Sequence, residues 1–436
     1  MRAEARPQRP FTQIVWVMTA IAIALGVAFQ IQATPKFGGN QMRLSVADLV
    51  SPIIFLGLVI ISVRQRLSWP RWSMPHLWLW LGLLSAVMSM ALIVGRVKFG
   101  YWLPWAAVNK FGGWFALVWY LALGGLVAAT IGARGKERFL QAFLVFLWMA
   151  CAVSLLGYLL YQANASLPSW MRYNRAEGFV QNPNAFGLFI AVGIAAQLPY
   201  AKRNALFNVW VHRSGLAMAL TALVLTGSRS AWIGALFAAL LLAGVRMMPW
   251  RHIGVATLLA GALLAALLFG TPEIFDPRPG NYQNVTGGYV LNEPMFSGDD
   301  RGLSYRYRTG VAALRLWLVE PILGAGLGGF PQYLIKAGHV PEVIHNTYLW
   351  ILTEMGAVGF AVFAAFFVVL LRRLRQRHHD SEDPKIAIAA LAVLLAVAGA
   401  AIGMEAMYQR HVWFLLGLAL AAPRMVDRVR ASGDLR

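Results

Sequence analysis

The stretch VIHNTYLWILTEMGAVG, residues 343–359, opens with polar groups and continues as an apolar helix, so His345 and Asn346 stand where water gives way to hydrocarbon. An unperturbed imidazole titrates near about 6.5, which makes His345 the candidate to take a proton from a hydroxyl at neutral pH. Asn346 is placed to orient that imidazole or the group it acts on. Arginines gather on the same side of the chain's apolar runs. Arg229 lies in TGSRSAW, Arg301, Arg306, Arg308 and Arg315 follow one another before Pro321, and Arg172 and Arg175 precede EGFVQNPNAFG. Guanidinium groups stay charged and offer paired donors that match phosphate oxygens, so several together can hold a diphosphate without a metal. Ionisable groups beside hydrocarbon are costly and are functional hypotheses by default. The competing readings are structural: a snorkelling Arg229, a capping or interfacial His345, and solvated Arg172 and Arg175.

Other chemistries find less support. Asp299 and Asp300 are adjacent, but their Gly-rich context reads as a solvated turn, and no D-x-D spacing offers carboxylates to Mg²⁺. The single Cys151 lies mid-helix and permits no intramolecular disulfide. Gly324, Gly326 and Gly329 match G-x-G-x-x-G, yet no strand precedes them and no βαβ unit surrounds them. They are assigned to tight backbone turns at the membrane surface. His339 and His411 show no ligand spacing. The expected chemistry uses no metal, nucleotide or other cofactor.

The elements that position these residues follow from composition. Of 436 residues, 59% are hydrophobic and 13% charged, too apolar for a soluble domain. An α-helix needs about 17–25 apolar residues to cross a bilayer core. Runs of that kind lie near 11–31, 46–63, 77–94, 111–131, 139–161, 184–200, 206–226, 230–245, 252–270, 346–371, 385–404 and 410–423. The reading is an all-α polytopic membrane protein of about 12 transmembrane helices in contact with membrane lipids. Three parts follow: helices in 1–270, one large loop in 271–345, and helices plus a tail in 346–436. Basic residues in alternate connections, such as Arg71, Lys136, Arg246 and Arg377, place those connections and both termini in the cytoplasm. The net charge of +20 is therefore mainly topology and not a nucleic-acid footprint. Basic residues on the outer side ask for an anionic ligand there.

Within the large loop, 271–300 is dense in Pro, Gly, Asn and Asp and reads as irregular. LSYRYRTGVAALRLWLVEP reads as a helix with Ser304 as N-cap and a stop at Pro321. At about 100° per residue, Arg308 and Arg315 share one face and Arg306 lies nearly opposite.

His345-Asn346, nine residues, Gly356, two residues and Gly359 resemble the signature of the O-antigen ligase family. GSRSAW around Arg229 and RYRTGVAALRLWLVEPILGAGLGGF resemble further landmarks of that ligase and polymerase superfamily. The resemblance implies a membrane-embedded GT-C-like fold with a periplasmic loop. It also implies a bacterial inner-membrane glycosyltransferase that moves O-antigen polysaccharide from undecaprenyl diphosphate onto the lipid A core oligosaccharide. By the same resemblance His345 activates the acceptor hydroxyl, while Arg229 and one loop arginine bind the diphosphate. Arg306 fits that spacing best, with Arg301 and Arg308 as neighbours and Arg175, Arg315 and Asn346 in support. An O-antigen polymerase, or an oligosaccharyltransferase acting on protein, would share donor and loop; Arg315 and Gly326 have the Arg-x10-Gly spacing of polymerase loops. A lipid or sugar transporter would carry its polar groups near the midplane, whereas here they cluster at one face.

Overall fold

A computed structural model describes residues 20–26, 28–29, 31–33, 36–37, 40–41, 44–64, 71–162, 175–180, 182–201, 208–270, 301–339, 341–380 and 384–421. The expected irregular segment 271–300, with Asp299 and Asp300, lies outside the described residues, as does Arg172.

Each apolar run of the described chain is helical, because a backbone in hydrocarbon must satisfy its own hydrogen bonds. The helices are α1 (Val46–Arg64), α2 (Leu77–Phe99), a π-helical turn at Ala106–Gly112 that leads into α3 (Gly113–Gln162), α4 (Pro183–Ala201), α5 (Val209–Leu225), α6 (Arg229–Gly244) and α7 (Trp250–Gly270). They continue with α8 (Arg301–Val319), α9 (Gly329–Lys336), α10 (Thr347–Asp380), α11 (Pro384–Ala400) and α12 (Arg410–Leu420). Residues 20–26 and 28–29, within the first expected span, are helical too. Among the described residues 6 helical segments are long and apolar enough to cross a membrane, and five shorter apolar helices accompany them. The expected count of about 12 exceeds those 6 because four runs fold into helices of 17 residues or fewer, and because the first expected span and the end of α7 are described only in part.

Local sequence sets many of the ends. Pro183 opens α4 where a missing N–H costs nothing, and Asn182 Oδ1 accepts from the backbone of Asn184 at 2.9 Å and Ala185 at 3.1 Å. Asn208 caps α5 in the same way through Trp210 N, at 2.9 Å. The spans expected at 111–131 and 139–161 run together as one helical stretch, α3, because the connector GARGKE contains no proline and several good helix formers. Beside the helices lie two short antiparallel pairs, Gln32–Ala33 with Leu44–Ser45 and Lys36–Phe37 with Asn40–Gln41, within an otherwise all-α architecture.

Close helix packing uses small residues, as expected where lipid removes the hydrophobic drive for association. A side chain at Gly124 would sit 2.1 Å from Phe414 O, and one at Gly417 would sit 2.1 Å from Leu121 O, so α3 and α12 touch backbone to backbone. Two polar clusters then mark opposite ends of the bundle. At one end the last carbonyls of α12 are covered: Ser73 Oγ donates to Leu420 O at 2.7 Å, Lys136 Nζ to Ala421 O at 3.2 Å, and Arg377 Nη1 to Ala419 O. Cations suit the negative end of a helix dipole. At the other end Arg410, the first residue of α12, grips Asp48 on α1 through two contacts of 2.7 Å, and Tyr120 on α3 donates to the same carboxylate at 2.9 Å.

Candidate active site at the mouth of α10

The mouth of α10 lies at the Arg410 end of the bundle. Asn346 Oδ1 accepts from Leu349 N at 2.9 Å, an N-cap, and Asn346 Nδ2 donates to Ile402 O at 2.9 Å. Thr347 extends the seam: its N–H donates to Ala401 O, its hydroxyl donates to Met404 O, and Ala406 N donates back to that hydroxyl, each at 2.9 Å. The amide of Asn346 is thus spent on holding the helix start to the turn after α11. That differs from the expectation that it would orient the imidazole or a ligand. The capping role considered for His345 falls to its neighbour.

His345 is half-buried, and burial followed by the charge of Arg306 pushes its imidazole down to about 4. Arg306 reaches it because α8 runs alongside the first half of α10. Gly310 faces Leu349, where an added Cβ would lie 3.8 Å from Leu349 Cδ2, and Thr353 Oγ1 donates to Ala313 O at 3.2 Å. With these residues paired in the same order along both helices, Arg306 arrives beside His345. Arg308 and Arg315 are exposed and Arg306 is half-buried, as the helical period predicts. Only the backbone of Arg301 is described. The chain is already helical there, so Ser304 lies within α8 and is not its N-cap.

Arg229 is the exposed first residue of α6, without a hydrogen bond or ion pair among the described residues. Its neighbour Ser230 packs on Gly403, where an added Cβ would meet Ser230 Oγ at 2.3 Å. Gly403 follows Ile402, the residue that holds Asn346, so Arg229 and His345 flank one turn. Arg175 is used differently from expectation: its Nε donates to Thr226 O at 2.7 Å, tying the loop before α4 to the turn that presents Arg229. Next to it, burial raises the Glu177 carboxyl to about 7 against the opposing charge of Arg175.

The glycine-rich turn is built into the bundle, as its spacing without a βαβ unit anticipates. At Gly356, φ is 67° and ψ is −171°, and α10 is broken there. The exposed donors Ala357 N and Val358 N bond to Pro321 O at 2.8 Å and Ile322 O at 3.2 Å, while Thr353 O and Glu354 O accept from Ala325 N at 2.8 Å and Gly326 N at 3.1 Å. Leu327 N continues onto Ala91 O of α2 at 2.8 Å, and Lys98 Nζ holds Gly324 O at 3.0 Å and Glu320 Oε1 at 2.8 Å.

Beneath this turn lies a charged cluster that the candidate site did not include. Glu354 is 1% exposed and accepts from Gly328 N at 2.9 Å, Phe330 N at 3.4 Å and Trp350 Nε1 at 2.8 Å. Lys110, 3% exposed and in the π-helical turn, is its counter-charge, pairs with Glu405, and lies 4.4 Å from the Trp350 ring centroid. The signal was present in the sequence, since Lys110 and Glu354 interrupt runs otherwise fit for hydrocarbon. Among the described residues no group of three or more His, Cys, Asp or Glu could hold a metal ion.

These observations define the class as an all-α, multi-pass membrane protein with an imidazole, arginines and a docked glycine turn at one end of its bundle. Residues 214–364 match the family model described as O-Antigen ligase, and that stretch of the chain carries the O-antigen ligase family's domain. The match spans Arg229, Arg306, His345, Gly356 and Gly359. No curated protein matches the chain.

Proposed function

We propose that the protein is an O-antigen ligase: a glycosyltransferase that moves polysaccharide from undecaprenyl diphosphate to the lipid A core oligosaccharide. In this reading the chain lies in the bacterial inner membrane with about 12 crossings and cytoplasmic termini, and 271–345 forms a periplasmic loop in a GT-C-like architecture. Helices in 1–270 and 346–436 flank that loop. The observation that carries the reading is the apposition of Arg306 and His345 within the family-matched segment.

His345 takes the proton from an acceptor sugar hydroxyl, whose oxygen forms a bond to the donor's anomeric carbon. The bond from that carbon to the diphosphate breaks, and its electron pair leaves with the diphosphate. A single displacement of this kind inverts the anomeric centre. Arg306 and Arg229 hold the diphosphate and stabilise the charge that grows on it, with Arg301 and Arg308 near the entry side. A donor that carries its own leaving group needs no nucleotide, and arginine charge substitutes for a metal. An apolar cavity of roughly 190 Å³ between α10, α11 and α12, with Thr347 and Tyr348 in its wall, sets hydrocarbon-compatible space beside head-group chemistry.

The test is reconstitution in proteoliposomes with undecaprenyl diphosphate-linked glycan and rough lipopolysaccharide in the presence of EDTA. A gel shift of the lipopolysaccharide is expected. Polymer growth on the donor alone, or transfer only to protein, would overturn the ligase reading in favour of the polymerase or the protein-modifying enzyme.

A further inference from the structure

Glu354 lies inside α10 and its carboxylate meets no arginine among the described residues, yet it holds more of the glycine turn than any other described side chain does. Its carboxylate gathers two backbone N–H groups of the glycine turn, Gly328 and Phe330, and the Trp350 indole N–H, while its own carbonyl accepts Gly326 N. One residue earlier, Thr353 ties α10 to α8 at Ala313 and accepts Ala325 N. Lys110 supplies the opposite charge from the π-helical turn, and its partner Glu405 lies in the turn that Thr347 fastens. Single π turns within helices often mark functional sites. A buried carboxylate in an apolar helix is retained where it fixes an arrangement that apolar groups would leave loose.

We infer that Glu354 is a positioning residue that fixes the register of α8 against α10 through the glycine turn, and so sets Arg306 opposite His345. Arg306 precedes Ala313 by two turns of α8, and His345 lies just before α10 begins, so a slip at Thr353–Glu354 moves both ends of the pair. Reactive geometry is sensitive to displacements of this size. The inference rests on the transferase reading for its kinetic consequence, but the register is measurable without any substrate.

The experiment uses the full-length protein in nanodiscs with Gly310→Cys and Leu349→Cys; the native Cys151 is buried. Copper-phenanthroline oxidation should close this pair quickly in the parent and several times more slowly after Glu354→Gln, which keeps the shape and removes the charge. With undecaprenyl diphosphate-linked glycan and rough lipopolysaccharide, Glu354→Gln should lower kcat by about tenfold or more while both KM values stay within about twofold. Closing the disulfide should restore most of the lost rate, which a purely structural defect would not allow. Should Glu354→Gln fail to fold, Thr353→Val replaces it and is expected to slow closure in the same way. Parent-like closure in the folded variant, or a lost rate that the disulfide does not recover, overturns the inference. Slow closure in a protein whose parent transfers no glycan would sustain the register argument and overturn the proposed function.

Discussion

Arg306 and His345 come from segments 39 residues apart, and the guanidinium stands near enough to the imidazole to oppose its protonation. The half-buried pocket acts in the same direction. His345 is therefore neutral and able to accept a proton throughout the physiological range, at the expense of intrinsic basicity. In the proposed reaction a bound diphosphate would change that balance, because its negative charge would offset Arg306.

The pH dependence should carry this relationship. A lowered pKa means that the neutral, active imidazole persists as pH falls and is lost only near about 4. The acid limb of kcat/KM, which reports free enzyme, is expected there, whereas the acid limb of kcat should lie higher because the donor offsets Arg306. Arg306→Gln should raise the free-enzyme limb only part of the way toward the ordinary histidine value, because burial, the larger cause, remains. Coincident limbs in all three measurements would exclude this coupling.

His345→Ala and Asn346→Ala should fail in different ways. Removal of a general base costs about 10²–10⁴-fold in rate, and because Asn346 makes the cap, His345→Ala should lower the melting temperature less than Asn346→Ala does. Asn346→Ala loses a cap worth ~1 kcal/mol and leaves the Ile402 carbonyl short of a donor. It should lower the melting temperature and retain measurable transfer. Thermal shift and transfer assays on the two purified variants separate the outcomes.

Arg229 and Arg175 should separate along the same line. Arg229 is exposed and without a protein partner among the described residues, so Arg229→Ala should raise the donor KM about tenfold, the scale of a lost charged hydrogen bond, and spare the acceptor KM. Arg175→Ala releases Thr226 O, so instability should dominate. Equal donor KM effects with no loss of stability would contradict the division of roles.

Gly356 and Gly338 both have positive φ, 67° and 76°. An alanine in that region costs roughly 1–2 kcal/mol from backbone strain. At Gly338 nothing lies within 4 Å of an added Cβ, whereas at Gly356 it would sit 2.2 Å from Ile322 O. Gly338→Ala should therefore give folded protein with a modest drop in melting temperature. Gly356→Ala should break the exchange between α10 and the glycine turn, and size-exclusion chromatography should show little monodisperse protein.

The amino-acid sequence by itself determined where helices form, which residues are candidates for chemistry, and that Arg306 faces away from Arg308 and Arg315. These follow from transfer energy and from the 3.6-residue period, both of which act within a few turns of chain. Segments 271–345 looked like a loop because polar and glycine-rich residues dominate it, but 321–328 exchanges hydrogen bonds with the break at Gly356. Only the tertiary structure decided that Asn346 fastens to Ile402 O, that Arg175 holds Thr226, and that Lys110 and Glu354 share a buried cluster. Each of those roles depends on a partner dozens or hundreds of positions away, and no local property of the chain encodes which distant carbonyl or charge packing will bring within 3 Å.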